Sequence, residues 1–505
     1  MAQTQQVEIK KSGSMGSFVF MGAVVCFLAY VITKNVFIPK SVMLAFTVLG
    51  AIYLFFKGMK QPEIVTYVLV AYIPFSAELA GDFGGFATAV NFTNLLMIFI
   101  MVVWLTGRYA SDEPIWLSTP LNLPIILFLL VGLISVIRGI NFSGGHLVAA
   151  IIEYKRWITP PLLYFLVLNT VKNRPTIRAI INIMMFVTAI VACMAIYDYI
   201  DAGEGGSLES SRIGGIVDQP NMLAAFFNYY MFLPLAFMLM NTKKSKYWLF
   251  LIPVLLEFRG VMVTFSRGGY MAFALGLYAI SFFRSKMLFV FLILVGFIVY
   301  FNPILLPAGV RYRMGQTFQI DKTSAQEVEY DEASLESSAK SRVEIWRASV
   351  DMIKDHPVFG VGYKLFPYML EYYAPQWKGF DAHNTYIIIT AEMGIPALLI
   401  FLWCILSILW QTLRLYRRTN DHYAKTIALG YLGGIFGLLL SNMFGSRLDS
   451  QEVASYFWIL AALVMRFKIL DERDAAHPNS HEEVIKLNSK PGKLKSHKLD
   501  ACWSE

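Results

Sequence analysis

The chain has 505 residues, of which 56% are hydrophobic and 15% are charged, and its net charge is +8. Soluble domains carry about a quarter of charged residues, so this composition excludes a soluble enzyme, a nucleic-acid-binding domain and a disordered chain. The four cysteines are scattered, three of them within apolar runs, which argues against a disulfide framework and a thiolate metal site. The composition predicts an integral membrane protein whose positive loop charges set its orientation.

Apolar stretches of spanning length divide most of the chain. A spanning helix needs about 20 mostly apolar residues. Segments that qualify, some of them marginally, are 17–33, 38–56, 63–80, 90–106, 121–138, 150–171, 179–200, 221–241, 247–265, 269–284, 287–305, 384–411, 426–444 and 452–467. We therefore predict an all-α, polytopic helical bundle of about 12–14 transmembrane helices. The first eleven helices fall within residues 17–305 and the last three within 383–467.

Lysine and arginine are divided unequally between alternate loops. One set of loops holds about twice as many as the other, and the positive-inside rule assigns the richer set to the cytoplasm. Residues 1–16 and the polar tail 468–505 then both lie in the cytoplasm. The tail has the composition of a solvated, poorly ordered segment. Residues 306–382 form one long loop on the opposite, periplasmic side.

The long loop begins with an acidic, serine-rich part that extends to residue 336. Ser341 and Glu344 then match a capping box and predict that an amphipathic helix begins there and is closed by Pro357. Its predicted apolar face consists of Val343, Trp346, Val350 and Ile353. A long loop with its own helix is typical of a lid or a binding element. We expect it to cover a cavity as a mobile lid, with Trp346 at the membrane surface or the cavity mouth; a rigid cap is the alternative.

Cationic residues on the periplasmic side are the first candidates for a site. Arg212 precedes a glycine pair and a helix start at Asn221, and Arg267 lies between two spanning runs joined by almost no loop. Arginine is disfavoured on this side, and a helix N-terminus favours anions, so both arginines are candidate anion ligands. A simple loop arginine is the alternative for Arg212. Glu257 and Arg259, inside an apolar run, are candidates for a buried ion pair that only fixes packing.

His383 is the candidate proton acceptor. It stands where a predicted helix enters the membrane, with Asn384 as the expected cap, and Gly394 and Pro396 interrupt that helix further in. The positive helix end and nearby arginines disfavour imidazolium, so the ring is expected to be neutral. Arg156 belongs to another cationic patch, which interfacial snorkelling explains equally well. No His, Cys or carboxylate grouping has zinc-like spacing, and no Walker loop occurs.

Short motifs in a fixed order run through about residues 205–410. They are Arg212 with Gly214-Gly215 and Pro220-Asn221, Ser266-Arg-Gly-Gly269, Arg342-Val-Glu-Ile-Trp346, Asp355-His-Pro357 with Phe359-Gly-Val-Gly362, and His383-Asn384 leading into Ala391-Glu-Met-Gly-Ile-Pro396. Together they resemble the O-antigen ligase and O-antigen polymerase superfamily of bacterial membrane glycosyltransferases. The first 200 residues match that family only in hydropathy.

The resemblance implies a GT-C-like bundle in the bacterial inner membrane that transfers or polymerises glycan from a polyprenyl-diphosphate carrier. The acceptor is a hydroxyl group at the periplasmic face, and the product belongs to a surface polysaccharide. The implied partners are the lipid-linked glycan donor, a glycan or lipid-core acceptor and membrane lipid. Other polysaccharide-assembly proteins are further candidates, and nucleic acid is not expected.

The chemistry of such a reaction assigns roles to these residues. A lipid diphosphate is already a good leaving group, so the reaction needs cations for the diphosphate and a base for the acceptor hydroxyl. We assign His383 as the base and Arg212 and Arg267 as diphosphate clamps. The candidate substrate-binding residues are Arg156, Asn221, Arg342 and Asn384. No cofactor and no metal is expected. The alternative is a transporter or flippase in which the same arginines bind an anionic or lipid-linked sugar.

Overall fold

A computed structural model describes residues 50, 52–59, 61–79, 92–109, 116–139, 146–203, 212–307, 309–311 and 333–476. All regular secondary structure within these ranges is helical. Several predicted segments lie outside the described residues: the N-terminus 1–16, the first span 17–33, most of the second span 38–56, the acidic stretch up to residue 332, and the tail from residue 477.

The described chain is a bundle of helices. In chain order they are α1 Pro62–Tyr72, α2 Ser76–Leu79, α3 Phe92–Tyr109, α4 Asn122–Arg138, α5 His146–Thr170, α6 Arg174–Asp201, α7 Pro220–Tyr230, α8 Phe232–Met240, α9 Leu251–Val263, α10 Arg267–Arg284, α11 Lys286–Phe301, α12 Ala333–Asp355, α13 Phe366–Tyr373, α14 Thr385–Met393, α15 Ile395–Arg418, α16 His422–Ser441 and α17 Gln451–Ala476. Among the described residues, the helices long and apolar enough to cross a membrane are α6, α7 with α8, α15, α16 and α17. The prediction of an all-α polytopic membrane protein is confirmed; the total number of spans stays a prediction.

Helix α16 packs at the centre of the bundle against α7, α8, α10 and α15. Its glycines allow the backbone of a neighbouring helix to approach closely. A Cβ atom at Gly434 would lie 2.2 Å from the carbonyl oxygen of Tyr229, and one at Gly430 would lie 2.7 Å from that of Phe232. Small residues allow such close approach between helices in a membrane. Since α7 and α16 run antiparallel, the start of α7 lies beside the end of α16.

The long loop has a small core of its own, built from α12, α13 and the segment before α14. Its buried residues include Ile345, Ala348, Met352, Phe366 and Leu370. Helix α12 begins at Ala333, well before the predicted cap, so the capping box is wrong. The predicted end of the helix before Pro357 is confirmed, because α12 stops at Asp355.

The predicted apolar face of α12 is partly wrong. Val343 and Val350 are 47% and 50% exposed, whereas Ile345 and Met352 are buried. Both sets have helical spacing, and packing against α13 decides which one faces inward. Trp346 is half-buried, and its Nε1 donates a hydrogen bond to the carbonyl of Ala382 at 2.8 Å. Trp346 therefore packs against the end of its own loop, next to the candidate base.

Helices α14 and α15 are two halves of one predicted span, interrupted at Gly394, where φ is 88°. The loop after α12 fills the interruption. The main-chain N–H of Ile395 donates to the carbonyl of Pro357 at 2.8 Å, and a Cβ atom at Gly360 would lie 2.4 Å from the carbonyl oxygen of Glu392. The break predicted from the Gly-Ile-Pro sequence is confirmed. Backbone groups freed by the break bond to the loop, as an apolar environment requires.

The proposed ion pair between Glu257 and Arg259 is wrong. Glu257 Oε1 accepts a hydrogen bond from Thr188 Oγ1 at 2.6 Å, and the Arg259 guanidinium lies over the ring of Tyr199, 5.2 Å from its centroid. Residues two positions apart on a helix do not face each other, so the two side chains meet different neighbours.

Candidate active site

The start of α7 is hydrogen-bonded to two arginines, one from the segment just before it and one from a distant part of the chain. Asn221 Oδ1 accepts hydrogen bonds from Arg212 Nη2 at 3.0 Å and from Ser266 Oγ at 2.7 Å. Gln219 Oε1 accepts one from Arg447 Nη1 at 3.1 Å. The proline between Gln219 and Asn221 favours a helix start because it needs no N–H partner there. Two cationic side chains are thereby held at one helix N-terminus.

Arg212 lies on the end of α9. Its Nε donates to the carbonyl of Thr264 at 3.2 Å, and the side chain is half-buried. The neighbouring glycines shape the turn that leads into α7. A Cβ atom at Gly214 would lie 2.5 Å from the carbonyl carbon of Asp218, which itself has a left-handed φ of 48°. The space beside Gly214 is thus filled by the chain's own backbone.

Arg267 is the first residue of α10. The preceding Ser266 caps this helix by accepting a hydrogen bond from the N–H of Gly269 at 3.1 Å, and it also contacts Asn221. A Cβ atom at the following Gly268 would lie 3.1 Å from Cβ of Phe444. The backbone at Arg267 therefore lies between the segment that binds Arg212 and the segment that leads to Arg447.

Arg447 is not among the site residues predicted from the sequence. It lies between α16 and α17, is 5% exposed, and donates from Nη2 to the carbonyl of Phe444 at 2.9 Å. Burial lowers the pKa of Arg447 to about 10, and the positive charges of Arg342 and Arg212 act in the same direction. Arginine is disfavoured on the side predicted to be periplasmic, and this signal, which singled out Arg212, was available for Arg447 as well.

Arg342, on the loop helix α12, lies near Arg212 and Arg447. Its Nε is buried and has no hydrogen-bond partner within the described part of the chain. Burial lowers the pKa of the Arg342 guanidinium, and the charge of Arg212 lowers it further. The charge of Arg212 therefore acts on both Arg342 and Arg447, and the charge of Arg342 acts on Arg447 as well.

His383 stands immediately before α14 with a left-handed φ of 49°. The predicted cap is confirmed: Asn384 Oδ1 accepts hydrogen bonds from the N–H groups of Tyr386 at 3.0 Å and Ile387 at 3.2 Å. His383 Nδ1 lies 3.6 Å from Asp381 Oδ2, and its side chain is 42% exposed. A ring that presents Nδ1 to this carboxylate leaves Nε2 free to accept a proton.

The surroundings of His383 favour a neutral ring. Burial lowers the pKa of His383, the nearby carboxylate of Asp381 opposes this, and the charges of Arg342 and Arg447 lower the pKa further. The net effect is a pKa below the ordinary 6.5. At neutral pH the imidazole is therefore unprotonated, as a proton acceptor must be.

The structure gathers most of the predicted residues but leaves one apart. Arg212, Arg342 and His383 lie around Arg447, at an end of the bundle where α7, α10 and α14 begin. Arg156 is 53% exposed on α5 and forms an ion pair with Glu153 on the same helix at 3.4 Å. No contact among the described residues joins Arg156 to the cluster. An excess of guanidinium groups and helix N-termini can bind a multiply charged anion.

Comparison with known families places part of the chain. Residues 252–402, less than a third of the sequence, match a family model described as O-antigen ligase. This region includes Arg267, Arg342 and His383, whereas Arg212 and Arg447 lie outside it. Comparison with curated proteins and with solved structures gives no match. The O-antigen ligase domain at residues 252–402 supports the place of the protein in the O-antigen ligase and polymerase superfamily that its motifs resemble.

Proposed function

We propose that the protein is a metal-independent glycosyltransferase of the bacterial inner membrane. It transfers or polymerises glycan from a polyprenyl-diphosphate carrier onto a hydroxyl acceptor at the periplasmic face. The matched domain supports an O-antigen ligase-like activity in polysaccharide biosynthesis. The unequal loop charges support the periplasmic placement of the site.

One observation carries the proposal: three arginines, Arg212, Arg342 and Arg447, lie together, and the last two of them face His383. Arg342 also has a buried donor with no partner among the described residues. Buried like charges are costly unless an anion joins them. A diphosphate that departs from a sugar develops negative charge on oxygens that guanidinium groups bind bidentately. These donors are the side chains of Arg212, Arg342 and Arg447. The backbone of Arg267 lies between the segment that binds Arg212 and the segment that leads to Arg447.

The acceptor hydroxyl is activated by His383. Its Nε2 takes the hydroxyl proton as the oxygen attacks the anomeric carbon and the bond from that carbon to the diphosphate oxygen breaks. Asp381, near Nδ1, stabilises the imidazolium that forms. The proton then passes to solvent, since the histidine is partly exposed.

Metal independence rests on the charges of the site. Three guanidinium groups would repel a divalent cation at the diphosphate. The carboxylate of Asp381 faces His383. The arginines neutralise the leaving group in place of a metal ion.

The test uses the purified full chain in nanodiscs with a polyprenyl-diphosphate oligosaccharide, a glycan acceptor and a chelator. We expect transfer by the wild type and a loss of about 10²–10⁴-fold in rate for His383→Asn. Asparagine is chosen because it tolerates the left-handed backbone at this position. A dependence on added divalent metal would contradict the metal-free mechanism, and a normal rate for His383→Asn would remove the base.

A transporter would behave differently after reconstitution into sealed liposomes, which separate two compartments as nanodiscs do not. It would move donor across the bilayer without forming a new glycosidic bond, and His383→Asn would leave that movement largely intact.

Arg284→Met is the control for substitutions of the site arginines. Arg284 also donates a hydrogen bond to a carbonyl, that of Leu239 at 3.0 Å, but it lies at the far end of α10. This variant is expected to keep the wild-type transfer rate.

A further inference from the structure

Asn442 directly follows α16 and is fully buried. Its Oδ1 accepts hydrogen bonds from Thr385 Oγ1 at 2.6 Å and from the N–H of Arg447 at 3.2 Å. Its Nδ2 donates to Tyr229 Oη at 2.9 Å and to the carbonyl of Leu438 at 2.8 Å. Both acceptor positions and both protons of this amide are used, which only an asparagine side chain of this length provides.

The partners of Asn442 belong to the segments that carry the site. Thr385 follows His383 by two residues, and its N–H also donates to the main-chain carbonyl of Asn442 at 2.9 Å. Thr385 Oγ1 makes a further contact with the carbonyl of Gly445 at 3.1 Å. Tyr229 lies on α7, whose first turn holds Arg212. One buried amide is therefore bonded to the histidine segment, the Arg447 segment and α7.

We propose that Asn442 is a positioning residue that fixes His383 relative to Arg447, so that the base and the diphosphate ligand act on one donor and acceptor pair. This inference rests on the proposed function. The competing explanation is an ordinary buried asparagine that stabilises the end of α16 and nothing more. The two differ in what happens to His383, because the charged groups that face its ring, Asp381, Arg342 and Arg447, lie on three separate segments.

The experiment follows His383 itself. Diethyl pyrocarbonate modifies neutral imidazole, and mass spectrometry of the His383 peptide from the full-length protein gives the rate at each pH. In Asn442→Ala the burial of the ring and the approach of Arg447 relax, so the pKa rises towards 6.5. Modification at pH 6, expressed relative to the rate at high pH in the same variant, then slows by up to about fourfold. In the transfer assay kcat falls about 10–10²-fold while KM for the donor changes little, as expected for misplaced groups.

Asn241 provides a matched control at the opposite end of the bundle. It directly follows α8, is buried, donates from Nδ2 to the carbonyl of Phe237 at 3.0 Å, and bonds to His422 at 3.0 Å. The length of α7 and α8 separates it by about 30 Å from the start of α7. Asn241→Ala should lower thermal stability but leave the pH profile of His383 modification and kcat unchanged.

Thr385→Val is the second variant, for the case that Asn442→Ala does not fold. It removes one hydroxyl group and leaves the shape of the side chain nearly unchanged, so we expect it to keep the fold. It should shift the His383 profile in the same direction by a smaller amount. An unchanged modification profile in Asn442→Ala, or in Thr385→Val when the first variant does not fold, would overturn the positioning role. The modification experiment needs no glycan transfer, so it distinguishes failure of this inference from failure of the proposed function.

Discussion

Replacing Arg447 by methionine should stabilise the empty protein and abolish its activity. The pKa of Arg447 falls from 12.5 to about 10, which corresponds to about 3 kcal/mol of destabilisation of the charged side chain in the folded state. Methionine removes this cost and keeps the volume. Against it stand two acceptors that lose a donor. The carbonyl of Phe444, bonded at 2.9 Å, costs about 1–3 kcal/mol, whereas Gln219 Oε1, bonded at 3.1 Å, belongs to an exposed residue and can bond to water instead. The expected change in the free energy of unfolding lies between zero and about 2 kcal/mol of stabilisation.

The assay combines unfolding and transfer. Thermal unfolding is measured with and without geranylgeranyl diphosphate as a short polyprenyl diphosphate. The wild type should gain about 2.7 kcal/mol at a hundredfold excess over Kd, and Arg447→Met much less. The transfer rate of Arg447→Met should fall about 10²-fold or more, as it does when an enzyme loses one ligand of an oxyanion. Destabilisation beyond about 2 kcal/mol would show that Arg447 is a structural cation, and full activity would remove it from the site.

Three further outcomes are expected. Because the pKa of His383 lies below 6.5, kcat/KM should be constant around neutral pH and fall as the medium is acidified below that pKa; a profile without this acidic limb would contradict a neutral base. Arg342→Lys keeps the charge but loses the guanidinium fork, so kcat/KM measured with the lipid-diphosphate donor should fall about tenfold. Gly434→Val should lower the midpoint of thermal unfolding, because a Cβ atom there would lie 2.2 Å from the carbonyl oxygen of Tyr229, whereas Gly50→Ala, whose Cβ would have no atom of the described residues within 4 Å, should not.

The sequence predicted the elements that depend on local pattern. Every span expected after residue 120 contains a helix, because length and hydropathy determine those segments without reference to the rest of the chain. Asn384 was recognised as a cap for the same reason, since an N-cap lies next to the helix that it begins. The face of α12 was misread because two helical stripes compete there, and α13, which decides between them, begins eleven residues after α12 ends.

Only some of the site residues could be predicted from the sequence, because they come together through tertiary packing. Arg447 carries no motif, and its link to Gln219 exists only because α7 and α16 run antiparallel in contact. Asn442 is an unremarkable residue in sequence, and the four hydrogen bonds of its side chain reach segments up to 213 positions away. Arg156 shows the converse case: a cationic patch on the expected side of the membrane lies apart from the cluster, with Glu153 as its partner.

The junction at Gly394 constrains how hybrid proteins can be made from this chain. A Cβ atom at Gly394 would lie 2.1 Å from the carbonyl oxygen of Val358, and one at Gly360 would lie 2.4 Å from that of Glu392, near the end of α14. An exchange of residues 306–382 with a relative would import one side of this contact without the other. A donor segment that continues through Pro396 would bring both glycines together. Specificity transplanted with the shorter segment should therefore be lost with the fold, whereas the longer segment should carry it intact.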